Sequence, residues 1–433
     1  MASNLEEAIE IIRKQSERIE ELEEIIRRLT NQPSKPKFSQ ENYSQSRNDK
    51  KIKKEWKKGS KNGKIVVTER KEIRGGNGQC TCGCKEFKII RTRSRIVQGI
   101  SIKLNNIEYK LIDEECIKCR KEYRANVDEI GYNKETRSLI SILKYGFRMT
   151  HPLIKKFLEE QGIQISSGEI SKILMENSKS LQDAYTYLRT VGIKKSKYNQ
   201  TDATITRRRN TKRIKREHLQ FTGNKYISTF KITDKYNIES VYHAVTKRGV
   251  NKGFVADDST SNHIGKRQLC WVHELRHYQK LTPILRGNIR IKEEIINELR
   301  GVYHEEKTYG NNATQEKKEE IQELFRRVVN KTTGYLPIDE CLKRTRKKEK
   351  ELLMFLDYPY IPIHNNESEN SLREAVIIRK ISHETKSKIG DKSLERHLSV
   401  IQTIKKQKLN LYRTFREIIE GTFDLSLLTS LTV

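Results

Sequence analysis

"KYNQTDATITRRR" (Lys197–Arg209) is the stretch on which the reading of this chain turns. It is strand-like, and it carries one acid, Asp202. Three further runs have the same character: "HLQFTGN" (His218–Asn224), "KYISTFKITDK" (Lys225–Lys235) and "GFVADD" (Gly253–Asp258). Between the last two, "ESVYHAVTKRG" (Glu239–Gly249) reads as a helix. The predicted order is β-β-β-α-β, followed by a strongly helical stretch from about 270 to 357. "GFVADD" ends in two adjacent acids, Asp257 and Asp258, which taken alone also suit a plain acidic turn.

Three strands, a helix and a fourth strand open an RNase H-like fold. In that order the first acid lies on strand one and the second follows strand four, so Asp202 and Asp257 are expected side by side. Glu369 in "HNNESENSLREAVIIRK" (His364–Lys380) is the candidate third acid. Asn366 with Glu369 three residues on also has the form of a capping box, and spacing alone leaves both readings open. Three carboxylates are what a pair of divalent ions, Mg2+ or Mn2+, requires.

The 433-residue chain carries a formal net charge of +30, which favours a polyanionic partner and above all nucleic acid. No run of 18 apolar residues and no secretory signal are visible, so a cytoplasmic, nucleoid-associated protein with no membrane partner is expected. Seven cysteines in a reducing compartment argue for metal ligation or free thiols over disulfides.

Residues 1–31 are expected to form a coiled coil that mediates homo-oligomerisation. Leu5, Ile12, Ile19 and Ile26 occupy a positions, and Ala8, Gln15, Leu22 and Leu29 occupy d positions. Residues 32–75 read as a basic flexible linker, in which 47–64 hold nine Lys/Arg against two acids. Residues 76–130 look like a zinc ribbon. "CIKC" provides Cys116 and Cys119, and the irregular "CTCGC" provides Cys80 and Cys82, with Cys84 as substitute. "SIKLNNIEYKLI" (Ser101–Ile112) between the knuckles reads as a hairpin. Residues 131–192 form a helix-turn-helix-like unit with "SSGEISKIL" as the expected recognition helix. An RNase H-like catalytic core (193–385, helical insertion about 274–357) and a C-terminal helical region (386–433) complete a multidomain α+β chain.

These pieces, in this order, resemble a DDE transposase of the insertion sequence 66 family. "NQPSKP" after the zipper is similar to that family's Asn-Ser-Ser-Lys-Pro-Pro junction. "QTDAT", "FVADDSTSN" with "LCWVHELRHYQKL" behind it, and "PIHNNESENSLREAVIIRKIS" are similar to its three acid motifs. The resemblance implies that Asp202, Asp257 and Glu369 are catalytic and hold Mg2+, with Asp258 as the reserve for Asp257. It also implies cleavage of DNA ends and strand transfer. Arg373, Arg379 and Lys380 are expected phosphate contacts, and Asn365 and Asn366 position the helix start or contact DNA. Arg207 and Arg208 would suit DNA beside the site, or stand as a solvated hairpin. Trp271 and His273 of Cys270-Trp-Val-His either face the DNA or belong to a packed motif; half a zinc site is the weaker reading. Small accessory proteins accompany such enzymes. The alternative expectation is an inactive or domesticated transposase acting as a DNA-binding regulator.

Overall fold

The computed structural model describes residues 9–19, 21–22, 70–72, 82, 89, 91–94, 104–127, 131–209, 214–235, 253–259, 266–310 and 313–432. The predicted helix at 239–249, Cys80, Cys84 and most of the basic linker lie outside the described residues. Residues 37–105 form a separate unit, in whose described residues there is no helix or strand.

Five strands build the central sheet: β1 (Asn199–Arg209), β2 (Ile214–Gly223), β3 (Ser228–Thr233), β4 (Phe254–Ala256) and β5 (Arg267–Leu269). Their order is β3-β2-β1-β4-β5. The first three run antiparallel, whereas β4 joins β1 in parallel and β5 joins β4 in parallel. Gly223 closes the β2–β3 turn, where an added Cβ would stand 2.2 Å from the Ile227 carbonyl oxygen. Gly253 leads into β4 at φ +94°, a conformation costly to any residue with a Cβ.

Asp202 lies within β1, which continues to Arg209. The sheet departs from expectation at one point. A fifth strand, "RQL", was not expected, because two of its three residues are polar. Gln268 is nevertheless fully buried. Its amide donates to the Leu352 carbonyl at 2.8 Å and accepts from the Phe355 N–H at 2.8 Å. Arg267, also buried, pairs with Glu351 at 2.6 Å.

Ahead of the sheet stand α1 (Lys134–Ser141), α2 (His151–Glu160) and α3 (Ser167–Ser180). Asn133, Thr150 and Ser166 cap them, each side-chain oxygen accepting a backbone N–H of the first turn. After the sheet come α4 (Trp271–Gln279), α5 (Arg286–Tyr309), α6 (Gln315–Val329), α7 (Leu336–Lys347), α8 (Asn366–Ser382), α9 (Lys388–Lys406) and α10 (Leu411–Glu420). No helix among the described residues is long and apolar enough to cross a membrane.

One hydrophobic core joins α1–α3, the sheet, α8, α9 and α10, through residues such as Ile140, Ile173, Phe221, Phe230, Leu398 and Phe415. The helix-turn-helix-like residues thus bury their apolar faces in the core that supports the strands. A second core, with Trp271, Leu299, Phe325 and Leu342, belongs to the helical insertion. The exposed side of edge strand β3 is closed by α9. Ser399 Oγ and Thr403 Oγ1 accept the Phe230 and Ser228 N–H groups at 2.9 and 3.1 Å, and Glu395 accepts that of Ile232 at 2.5 Å. Side chains there do the work of a sixth strand and leave no free edge for another chain.

Residues 9–19 are helical with Ile9, Ile11 and Ile12 exposed. Near the zinc-ribbon-like segment, 104–112 form no strand, so the expected hairpin is absent over those residues. The ladder there is shorter and lies later: Glu114–Glu115 pairs antiparallel with Glu122–Tyr123, and Cys116 and Cys119 sit at its tip.

Candidate active site

The parallel register pairs Asn199 with Phe254 and Gln200 with Val255. Two more steps set Asp202 opposite Asp257, just past the end of β4. The start of α8 is then stitched to the same strand. The Gln200 amide accepts from the Ser368 N–H at 3.2 Å and donates to the His364 carbonyl at 3.3 Å. Asn365, fully buried, donates to the Thr201 carbonyl at 3.2 Å, and its N–H meets Cys270 Sγ at 3.3 Å. These bonds bring the first turn of α8, and Glu369 with it, to Asp202.

The three acids feel one another. Burial raises the Asp202 carboxyl to about 7, the Asp257 carboxylate adds to the rise, and Glu369 contributes less; the Ala203 N–H, donating at 2.7 Å, opposes them. Asp257 accepts the Ser259 N–H at 3.2 Å. Asp258 has a different setting: it pairs with Lys348 at the end of the helical insertion and lies 3.9 Å from the Arg267 guanidinium. Asp257 therefore faces Asp202 while Asp258 secures the insertion.

Glu369 is not engaged in a capping box. The N-cap of α8 is Asn365, which makes no side-chain cap bond. The Glu369 carboxylate instead lies 3.3 Å from Arg276 Nη1 and 3.5 Å from His273 Nε2, both on α4. Arg276 also lies 3.1 Å from His273 Nε2. Burial first, and then the Arg276 charge, lower the His273 pKa and favour the neutral ring. Arg276 was missed in the sequence. The signal available was its position three residues after His273, which places both on one face of a helix.

Among the described residues no group of three or more His, Cys, Asp or Glu stands in metal-holding geometry. Glu369 lies against Arg276 while Asp202 carries the crowding of like charge. The donor set itself, three hard carboxylates on three elements, is of the kind divalent cations take.

The expected DNA contacts divide. Arg373 and Lys380 are exposed on α8 and share the Glu369 face, being one and three turns further on; Arg379 is half-buried. Arg207 is exposed, but Arg208 is not available. It points to the opposite side of β1 and holds Glu217 and Asp391, each at 2.8 Å, in a buried triad. Trp271 is fully buried, donates from Nε1 to the Leu352 carbonyl at 2.9 Å and packs edge-on against Phe325, so the packed-motif alternative holds and its indole cannot face DNA. Cys270 is likewise buried, its thiol pushed up to about 11 by burial, which suits a packed thiol and not a metal ligand.

Cys116 and Cys119 form a tight knuckle. The Arg120 N–H bonds the Cys116 carbonyl at 2.7 Å with Arg120 at φ +59°, and the Cys116 N–H bonds the Lys121 carbonyl at 3.0 Å. Backbone and side-chain hydrogen bonds from Cys119, and then the Lys118 N–H, lower the Cys116 pKa and favour the thiolate that zinc requires. Cys82 is exposed.

Residues 131–393 match the family model described as "Transposase IS66 family". A curated relative described as "Uncharacterized protein y4jO", from Sinorhizobium fredii (strain NBRC 101917 / NGR234), is 33% identical over 158 residues, 36% of this chain and 49% of that protein. The chain thus spans about half the length of the curated relative it matches.

Proposed function

The chain belongs to the IS66 family of transposases, and from that premise we propose that it cleaves DNA at the ends of its element and transfers the freed strands, using Asp202, Asp257 and Glu369 as one catalytic centre. The observation that carries this reading is the convergence of the three acids: the β1–β4 register sets Asp202 level with Asp257, and the bonds of Gln200 and Asn365 bring the first turn of α8 to the same strand. Burial first, and then the charges of the other two, push Asp202 to about 7. The strand order β3-β2-β1-β4-β5, with the first acid on β1, the second after β4 and the third on a later helix, supports an RNase H-like core.

Asp202, Asp257 and Glu369 would hold the divalent ions. Such ions, when bound, neutralise the carboxylates and supply Lewis acidity to the attacking and leaving oxygens of a phosphodiester. The chain's own residues do the rest. Arg276 and His273 hold Glu369 until the site is loaded; once released, Arg276 is placed to donate to a non-bridging phosphate oxygen. Neutral His273 offers a ring nitrogen without adding charge. Arg373, Lys380 and Arg207 are exposed cations that would follow the phosphate backbone, a role that needs no base reading. Attack by water and then by a 3′-hydroxyl requires no covalent bond to the protein.

Self-association through the N-terminal helix, and a zinc ion held by Cys116, Cys119 and two of Cys80, Cys82 and Cys84, belong to the same proposal. They would pair two protomers and shape an end-binding module.

The test is cleavage of the element's own flanking DNA with Mg2+ or Mn2+. Asp202→Asn, Asp257→Asn and Glu369→Gln are each expected to abolish nicking while DNA binding persists. Binding by wild type with no nicking under either ion would favour the regulator instead.

A further inference from the structure

Beyond the carboxylates, on the same inner face of β1, lies a cavity of about 720 Å³. Its wall includes Thr204 and Thr206. Side chains alternate along a strand, so these two share the face of Asp202; at about 3.4 Å per residue Thr204 stands roughly 7 Å from it along the strand. The cavity is walled by α8 through Ala375, Ile378 and Arg379, by α3, by the start of α2 and by the start of α9.

Its chemistry has two parts. The interior is mostly apolar, with Leu174, Met175, Leu219, Ile378 and Leu394, and with Tyr145 beside them. The polar part is cationic: Lys144, Arg379 and Lys386 line it against one acid, Glu384. Lys144 is the informative residue. It is only 7% exposed, yet its ammonium bonds the Ser382 hydroxyl at 2.7 Å and has no carboxylate partner among the described residues. A buried cation without an anion is costly. That cost shows in the Lys144 pKa, lowered by burial to about 8, and in His151, lowered to about 4 by burial and then by Lys144 and Lys386. First-turn residues of α2 (His151, Pro152), α3 (Ser167, Gly168) and α9 (Gly390) also face the cavity, which adds the positive ends of three helices.

We propose that this cavity is a nucleotide pocket, with a base in the apolar interior and its phosphate at Lys144, Lys386 and the three helix starts. The size is that of a small-ligand site. An apolar lining beside a cationic one suits a flat ring joined to a phosphate, and Thr204 and Thr206 supply hydroxyls for a base edge. The occupant has two sources of the same chemistry: a nucleotide drawn out of DNA lying on the carboxylates, or a free mononucleotide. Only the first source rests on the transposase reading.

The experiment uses the full chain in EDTA, so that cleavage plays no part. Two probes are titrated: 2-aminopurine deoxyriboside 5′-monophosphate against its unphosphorylated nucleoside, and a mixed-sequence duplex carrying one 2-aminopurine. Saturable binding of the monophosphate, at least about tenfold tighter than the nucleoside, is expected. Lys144→Met should weaken it by about tenfold or more, and Ser171→Phe, which puts a large ring into the cavity wall, should abolish it. A rise in duplex emission that Ser171→Phe removes assigns an extruded nucleotide; monophosphate binding with unchanged duplex emission assigns a free one. If Ser171→Phe does not fold by circular dichroism, Lys144→Met decides. The proposal is overturned if wild type binds no monophosphate and duplex emission stays flat, or if the folded variants bind as wild type does. Loss of nicking in a separate Mg2+ assay would defeat the catalytic reading and leave this result standing.

Discussion

The seam between β1 and α8 has two ends, and they are opposites. At one end Asp202, Asp257 and Glu369 crowd together with Arg276 as a neighbouring cation. At the other, Lys144, Arg379 and Lys386 line a cavity with a single acid. Both ends rest on the same strand and the same helix, so the backbone does not make the difference. Each end gathers mainly one sign of charge, negative at the first and positive at the second. Like charge held together in a folded chain is costly, which is why a ligand of opposite sign is proposed at each end.

Four changes would break or sharpen that contrast. The largest effect is expected at the acid end. Asp257→Asn should lower strand cleavage by at least about 10³-fold, above 4 kcal/mol in barrier, whereas Asp258→Asn should cost far less. Equal losses would mean that Asp258 shares the metal site. Next is Arg208→Met, which leaves Glu217 and Asp391 buried without their guanidinium and should cost about 3–5 kcal/mol in denaturant-induced unfolding. An unchanged midpoint would return Arg208 to the list of DNA contacts.

Arg276→Ala should reduce cleavage by about 10–100-fold with DNA affinity little altered, as expected of a group acting mainly at the reacting phosphate. The smallest effect is on stability against pH. Asp202 holds its proton to about 7 in the folded chain and to 3.8 when unperturbed, so between those values the folded state binds the extra proton. Stability therefore falls as pH rises from about 4 through 7 and stays lowered above. Asp202→Asn should melt higher than wild type at pH 8, by about 1–2 kcal/mol, and converge with it below pH 4. A constant difference across that range would mean that burial and the neighbouring acids do not raise the Asp202 pKa.

Much of the candidate site was legible from element order. Asp202 on the first strand, Asp257 after the fourth and Glu369 on a later helix could be proposed from that order and the three motif blocks. Period-two alternation along "TDATITRRR" even separates Arg207 from Arg208, since Arg208 has the parity of Asp202 and so turns inward; treating the two arginines alike missed it. β5 was hidden because its buried residues are polar, and their partners, Glu351, Leu352 and Phe355, lie some eighty residues further on. Trp271 and His273 were expected either to face DNA together or to pack together. Two positions apart on a helix they point about 200° apart, and one went to the core while the other went to Glu369.

The sequence by itself determined the four strand-like runs around the carboxylates, three candidate acids, the Cys116–Cys119 spacing and the excess of positive charge. These are local or additive properties, readable from spacing and composition. Only the tertiary structure decided which of Asp257 and Asp258 faces Asp202, that Arg276 and His273 hold Glu369, that Arg208 is spent on a buried triad, and that Lys144 has no carboxylate partner among the described residues and lines a cavity. Those outcomes depend on what a given face meets far along the chain, 93 residues away for Arg276 and Glu369 and 238 for Lys144 and Ser382, and side-chain period specifies the face without specifying its partner.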